Sequence, residues 1–241
     1  MKSVSLRTPK TFGQRTNADV ELEPNKKYFL VVEGSNTERD YFNGVFNYRA
    51  DLGIDDLIDI VVVEREDDNK TDSHPKHLLN GILIKIGKIE MPEGYPDDYS
   101  LIEYDEEIDE IWLIFDRDPG NFYQKQFDEI YEKCNEHNFK IGLTNPNFEF
   151  WLLLHLPDID MYEKESLLQN KKVTKKRRFI EKELSDRLED GYNKNRIRFE
   201  RFKEQINLAI EQEKSFEQRI PDIFGRLGSN IGILISKMKN D

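Results

Sequence analysis

Three short apolar runs, at residues 28–32, 57–63 and 111–115, each break off into acidic residues, and the stretches between them carry helical periodicity. Runs this short, rich in β-branched and aromatic side chains, read as buried strands. A strand apolar on both faces belongs to a sheet covered on both sides. After the first run, Ser35 or Thr37 can cap a helix that carries Tyr41, Phe42, Val45 and Phe46 on one stripe. Residues 75–90 place Leu78, Leu79, Ile82, Ile86 and Ile89 together, and residues 121–138 do the same for Phe122, Phe127, Ile130, Tyr131 and Cys134. A fourth run at 140–144 follows. Strand–helix alternation predicts an α/β fold, a mostly parallel sheet flanked by helices.

The chain divides into a polar arm at 1–26, an α/β domain at 27–157 and a helical C-terminal part at 158–241. Residues 91–107, rich in proline, glycine and acids, form a long loop that suits a lid or an insertion. At 145–155, Asn145 is placed to cap a helix with Pro146 as its first residue, and the following residues are apolar nearly all round. Beyond Pro157, helices are predicted over 174–189 and 196–218, the second with Phe199, Phe202, Ile206, Ala209 and Ile210 inward. Gly191 to Lys194 form a turn between them. Pro221 opens a loop, and Gly228, Ser229 and Asn230 precede a last apolar helix at 231–238.

A net charge of −12 argues against non-specific, chain-wide binding of nucleic acid but not against a local basic groove. One cysteine, Cys134, rules out an internal disulfide, and the four histidines (His74, His77, His137 and His155) lack zinc spacing. No run approaches a membrane span, and the polar N-terminus has no signal-peptide core. A cytoplasmic protein is the default.

The acids at the strand ends carry the chemistry. Asp116 and Asp118 stand two apart where the third strand ends, so on an extended chain both face the same way. Mg²⁺ and similar hard ions take such carboxylates beside phosphate groups. The plainer reading is that Asp116 opens a turn, since Asp118-Pro119-Gly120-Asn121 follows. Glu33 ends the first strand, next to Gly34 and a helix N-terminus; it is either a ligand-facing acid or a helix cap. Glu149 is the one charge in an apolar helix, so it needs a cation, a metal, or its own helix N-terminus. His155 at that helix's end is a packing group or a base. The cluster Lys171, Lys172, Lys175, Lys176, Arg177 and Arg178, with Lys194 further on, is a solvated face or a phosphate-binding surface.

A strand ending in Glu33-Gly34 with Thr37-Glu38 and Tyr41-Phe42, and a later strand ending in Asp116-Arg117-Asp118, is similar to the Toprim pattern. With the block from Asn145 through Pro146 to His155, Tyr192 with Lys194, and Gly228-Ser229-Asn230, the chain resembles the RloB family, a Toprim-like group, over residues 27–240. That resemblance implies Mg²⁺- or Mn²⁺-dependent cleavage of DNA or RNA. Glu33 would be the general acid/base and, with Asp116 and Asp118, a metal ligand; in the leading hypothesis built on this, Glu149 is a further ligand, and Glu38 and His155 support them from behind. It also implies a role in bacterial antiphage defence, with an ATPase encoded nearby as partner. The chain has no nucleotide-binding loop of its own. It departs from the family where a serine and a cysteine are common, having Thr144 and Asn147 instead, so neither of those residues is essential here. A different class of reading is a non-catalytic module that docks on the ATPase or senses a ligand. A primase- or topoisomerase-like role ranks last, because no tyrosine nucleophile motif or zinc module is present.

Overall fold

The computed structural model describes residues 26–33, 36–63, 75–90, 101–118, 120 and 122–241. The first half alternates as the sequence predicts: β1 (Lys26–Val32), α1 (Thr37–Asn47), a short α2 (Arg49–Leu52), β2 (Ile58–Val63), α3 (Pro75–Lys85), β3 (Glu110–Asp116), α4 (Gln124–Glu136) and β4 (Lys140–Asn145). Then come α5 (Phe148–Leu153), α6 (Lys164–Gln169), α7 (Phe179–Arg187), α8 (Ile206–Glu213), α9 (Ile220–Ile223), β5 (Gly228–Ser229) and α10 (Ile231–Asn240). The strand order is β2-β1-β3-β4-β5; β1 to β4 are parallel and β5 is antiparallel to β4. No helix among the described residues is long and apolar enough to cross a membrane.

Each strand alternates between two cores. Tyr28, Leu30, Val32, Trp112 and Ile114 face a layer built on α1, α5, α7, α8 and α10. Phe29, Val31, Leu113, Phe115, Ile141 and Leu143 face α3, α4 and α9. The direction of chain travel sets this division. From β1 the chain steps outward to β2, and from β2 it steps back past β1 to β3. Right-handed crossovers in opposite directions must put their helices on opposite faces. Close seating of α1 depends on Gly44, where a Cβ would come within 2.2 Å of the Phe199 ring.

Several boundaries differ from the sequence reading. Asn145 does not cap a helix: it ends β4, pairs with Gly228 and donates its amide to the Ile223 carbonyl (2.7 Å), so α5 starts only at Phe148. Residues 171–178 are a hairpin, so the helix expected from residue 174 starts only at Phe179. Lys172 and Arg178 bridge antiparallel, and the Thr174 hydroxyl accepts the N–H groups of Lys176 and Arg177. Such local side-chain bonds compete with the helical ladder, and a run of like charges does not favour it. The long helix expected over 196–218 is broken into 3-10 turns at Phe199–Arg201 and Lys203–Gln205, followed by α8. The three-residue period of a 3-10 turn brings Phe199 and Phe202 to one side, and both are buried. Pro221 lies inside α9, at its first turn, where its missing N–H costs nothing. The helix from Pro75 stops at Lys85, and Ile89 is exposed. Thr37 is the first residue of α1 and not its cap, and its hydroxyl donates to the Lys194 carbonyl (2.9 Å). The arm at 1–25, Gly34, Ser35, His74 and residues 91–100 of the long loop lie outside the described residues.

The helical C-terminal part also supplies β5 and the residue after it. Asn230 accepts the Leu143 N–H with Oδ1 (2.7 Å) and donates Nδ2 to the Ile141 carbonyl (2.8 Å), so its side chain extends β5 as a substitute strand.

Candidate functional site

Strand order reverses between β1 and β3, and in open α/β sheets ligands bind in the crevice beyond the carboxyl ends at that point. Glu33 is the first residue past β1, and its N–H donates to the Ile114 carbonyl of β3 (3.0 Å). Asp116 is the last residue of β3, on the face it shares with Trp112 and Ile114. Its register partner on β4, Thr144, donates its hydroxyl to Asp116 Oδ1.

Two helices reach over that face, and each brings a glutamate as its second residue: Glu38 on α1 and Glu149 on α5. Both are almost fully buried, at 8% and 7% exposure. Glu149 is held at both oxygens. Tyr192 donates to Oε1 (2.9 Å) and Asn147 donates to Oε2 (2.6 Å). Among the described residues, no salt bridge neutralises Glu38, Asp116 or Glu149.

The electrostatic result follows from that placement. Burial holds Asp116 well above the usual carboxylate range; the charges of Glu38, Glu149 and Glu33 add to this, and the Thr144 hydroxyl opposes it. Burial likewise pushes Glu38 up to about 7, with the Glu149 charge adding and its backbone hydrogen bond opposing. Glu149 is raised by burial and by Glu181, and lowered by the bonds from Tyr192 and its own backbone and by the Lys194 charge. These carboxylates repel one another, and a divalent cation is the usual remedy. Still, among the described residues no three His, Cys, Asp or Glu side chains stand in position to hold a metal ion as they are.

Asp118 is placed differently from Asp116. The strand has ended, Asp118 has a φ of 33°, and its side chain is exposed. Strand alternation therefore does not aim the two aspartates alike. Its carbonyl accepts the Phe122 N–H (3.2 Å), which closes the turn before α4. Arg117, between them, crosses to the other face. It donates to the carbonyls of Phe224 (2.9 Å) and Phe122 (2.5 Å) and lies over the Phe224 ring.

The basic hairpin stands beside the acids. Lys171, Lys172, Lys175, Lys176 and Arg178 are exposed, while Arg177 is half-buried and donates to the Ser185 hydroxyl and the Tyr192 carbonyl (3.4 Å). Lys194 is exposed, and its positive charge acts on Glu149.

His155 is a core group. It is fully buried, with Nε2 3.0 Å from the Tyr41 hydroxyl and Nδ1 3.0 Å from the Trp151 carbonyl. A carbonyl can only accept, so Nδ1 carries the proton and Nε2 accepts from Tyr41. Burial pushes its pKa down to about 4, so the ring is neutral.

A family model described as RloB-like protein matches residues 28–238. The chain belongs to the RloB-like family. The resemblance carried by the strand-end acids and the block at 145–155 is thereby borne out. Among curated proteins and among solved structures, none matches this RloB-like chain. Sequence reasoning passed over Thr144 and Asn147, treating them only as departures from the family, yet each donates to one of the acids. The signal was available in part: a threonine keeps the hydroxyl that a serine would supply, and an asparagine two residues before a buried glutamate is within reach of it.

Proposed function

We propose that this RloB-like chain is a divalent-metal-dependent nuclease that hydrolyses phosphodiester bonds of DNA or RNA, with a Toprim-type site. The observation that carries this reading is the group of desolvated carboxylates over the ends of β1 and β3, Glu38, Asp116 and Glu149, to which no salt bridge is made among the described residues. The donor set suits Mg²⁺ or Mn²⁺: every candidate ligand is a carboxylate oxygen. Asp116 and Glu149 would hold the ion, with Glu38, Glu33 and Asp118 completing the set after side-chain rotation. Once bound, such an ion polarises a phosphoryl oxygen and lowers the pKa of a bound water.

The chain's own residues would do the rest. Glu33, half-buried at the crevice, would take a proton from the attacking water and return it to the leaving oxygen as the P–O bond breaks. Lys171, Lys172, Lys175, Lys176, Arg178 and Lys194 would hold backbone phosphates, leaving Arg177 to anchor the hairpin. An antiphage role with an ATPase partner belongs to the same reading.

A second reading, a non-catalytic module that docks on an ATPase or senses a ligand, draws on one observation: no three acids stand at metal-binding spacing among the described residues. Thermal melts with and without Mn²⁺ separate the two. Nuclease predicts a raised midpoint for wild type and none for Asp116→Asn, together with Mn²⁺-dependent cleavage of single-stranded, duplex or structured RNA or DNA that Asp116→Asn lacks. No shift and no cleavage in wild type would favour the module.

A further inference from the structure

Tyr192 joins the acids to the basic hairpin. It is 7% exposed, and its hydroxyl donates to Glu149 Oε1 (2.9 Å), with the Thr37 side chain of α1 beside it. Its carbonyl accepts from Arg177 Nη2 (3.4 Å), and the other arm of that guanidinium is bound to Ser185. The residue before it, Gly191, has a φ of +72°, which a side chain rarely adopts, so the turn that leads the tyrosine into the core suits glycine.

The second oxygen of Glu149 has its own line to the hairpin. Asn147 Nδ2 donates to Oε2 (2.6 Å), Asn147 Oδ1 accepts from Asn170 (3.4 Å), and the Asn170 carbonyl accepts from Arg178 (3.3 Å). Each carboxylate oxygen is thus connected to one of the two arginines that close the hairpin. The ring of Tyr192 packs in the core whether or not it carries a hydroxyl. What the hydroxyl adds is the bond to Glu149.

We propose that Tyr192 is a positioning residue: its hydroxyl holds the Glu149 carboxylate in the orientation in which it serves a divalent cation, and Arg177 anchors it from the hairpin. This rests on the metal-site reading above. Groups that orient a ligand commonly account for about 10- to 100-fold in metal affinity.

The test is Mn²⁺ titration calorimetry on wild type, Tyr192→Phe, Arg177→Gln and Asp116→Asn, each checked for cooperative unfolding in chelator. Tyr192→Phe should weaken Mn²⁺ binding about 10-fold or more, and Arg177→Gln should weaken it less, in the same direction. Wild-type affinity in Tyr192→Phe, with binding lost in Asp116→Asn, leaves the metal site standing and overturns the role of Tyr192. If wild type binds no Mn²⁺, the metal site fails and this proposal fails with it. Should Tyr192→Phe not fold, Arg177→Gln decides, because it keeps the phenol and frees only its backbone; unchanged affinity there overturns the proposal.

Discussion

Asp116 and Thr144 are register partners on neighbouring parallel strands, and the Thr144 hydroxyl donates to Asp116 Oδ1. The central carboxylate is therefore steadied by the next strand and not by the loop that follows it. Thr144→Val keeps the shape and removes the donor, leaving a desolvated carboxyl group with one bond fewer. The expected loss is about 1–3 kcal/mol in urea unfolding under chelator. Thr144→Ser, which keeps the hydroxyl, should stay within about 1 kcal/mol of wild type. Equal stability of all three proteins would show that the bond contributes nothing.

Glu38 should respond in opposite directions to two measurements. Its charge is buried and repelled by Glu149, so Glu38→Gln removes a destabilising ionisation and should raise the melting midpoint in chelator at pH 8. The same change removes a candidate ligand, so the rise in midpoint that Mn²⁺ gives wild type should shrink or vanish. A variant that is less stable in chelator and still shifted by Mn²⁺ would contradict both expectations.

The pH dependence follows from the sign of each shift. Glu38 and Glu213 both move from an ordinary 4.5 up to about 7. Their contribution to stability is complete below pH about 4.5 and is lost as pH rises through about 7. Asp116 and Glu149 shift the same way. His155 acts oppositely: lowered from 6.5 to about 4, it stabilises above pH 6.5 and loses that contribution as pH falls through about 4. Four carboxyl groups outweigh one imidazole, so calorimetry in chelator should show the midpoint falling from pH 5.5 to pH 8. Glu213 accepts the Gly232 N–H (3.0 Å) and the Gln218 amide (2.8 Å), away from the crevice, so Glu213→Gln should reduce that slope with or without Mn²⁺.

His155→Ala separates packing from chemistry. The ring lies against Tyr41, Trp151 and Phe202, and its loss leaves both a cavity and a buried Tyr41 hydroxyl without its acceptor. Destabilisation of about 2–5 kcal/mol is expected in urea unfolding. Mn²⁺ affinity in the folded fraction should match wild type. A selective loss of Mn²⁺ binding without destabilisation would instead assign the histidine to the site.

What the sequence revealed depended on how local each signal was. β1 and β3 are buried on both faces, so each carries a continuous apolar run that needs no tertiary context to be read. That made Glu33 and Asp116 visible as strand-end acids. Glu38 was harder to weigh, because nothing local marks it as buried; α1 is docked by distant contacts such as Gly44 against Phe199, across more than 150 residues of sequence. Residues 174–178 of the hairpin were misread as helix because lysine and arginine have good helix propensity, and only the local bonds of Thr174 and the seat of Arg177 override it. β5 is two residues long, too short to carry any period. The pairing of Asp116 with Asp118 was inferred from strand alternation, which no longer applies once the strand has ended.

The closure of β4 by β5 and the Asn230 side chain also bears on how the protein is made. A parallel strand at a sheet's margin presents unpaired amide and carbonyl groups, a template on which another chain can add. Here the cover for that margin is encoded more than 80 residues downstream of β4. During synthesis, the four parallel strands emerge long before their cover does, and the nascent sheet stays open to mispairing throughout that interval. Fragments that end before Gly228 would therefore be prone to aggregate for want of an edge seal, even with every acid of the crevice in place.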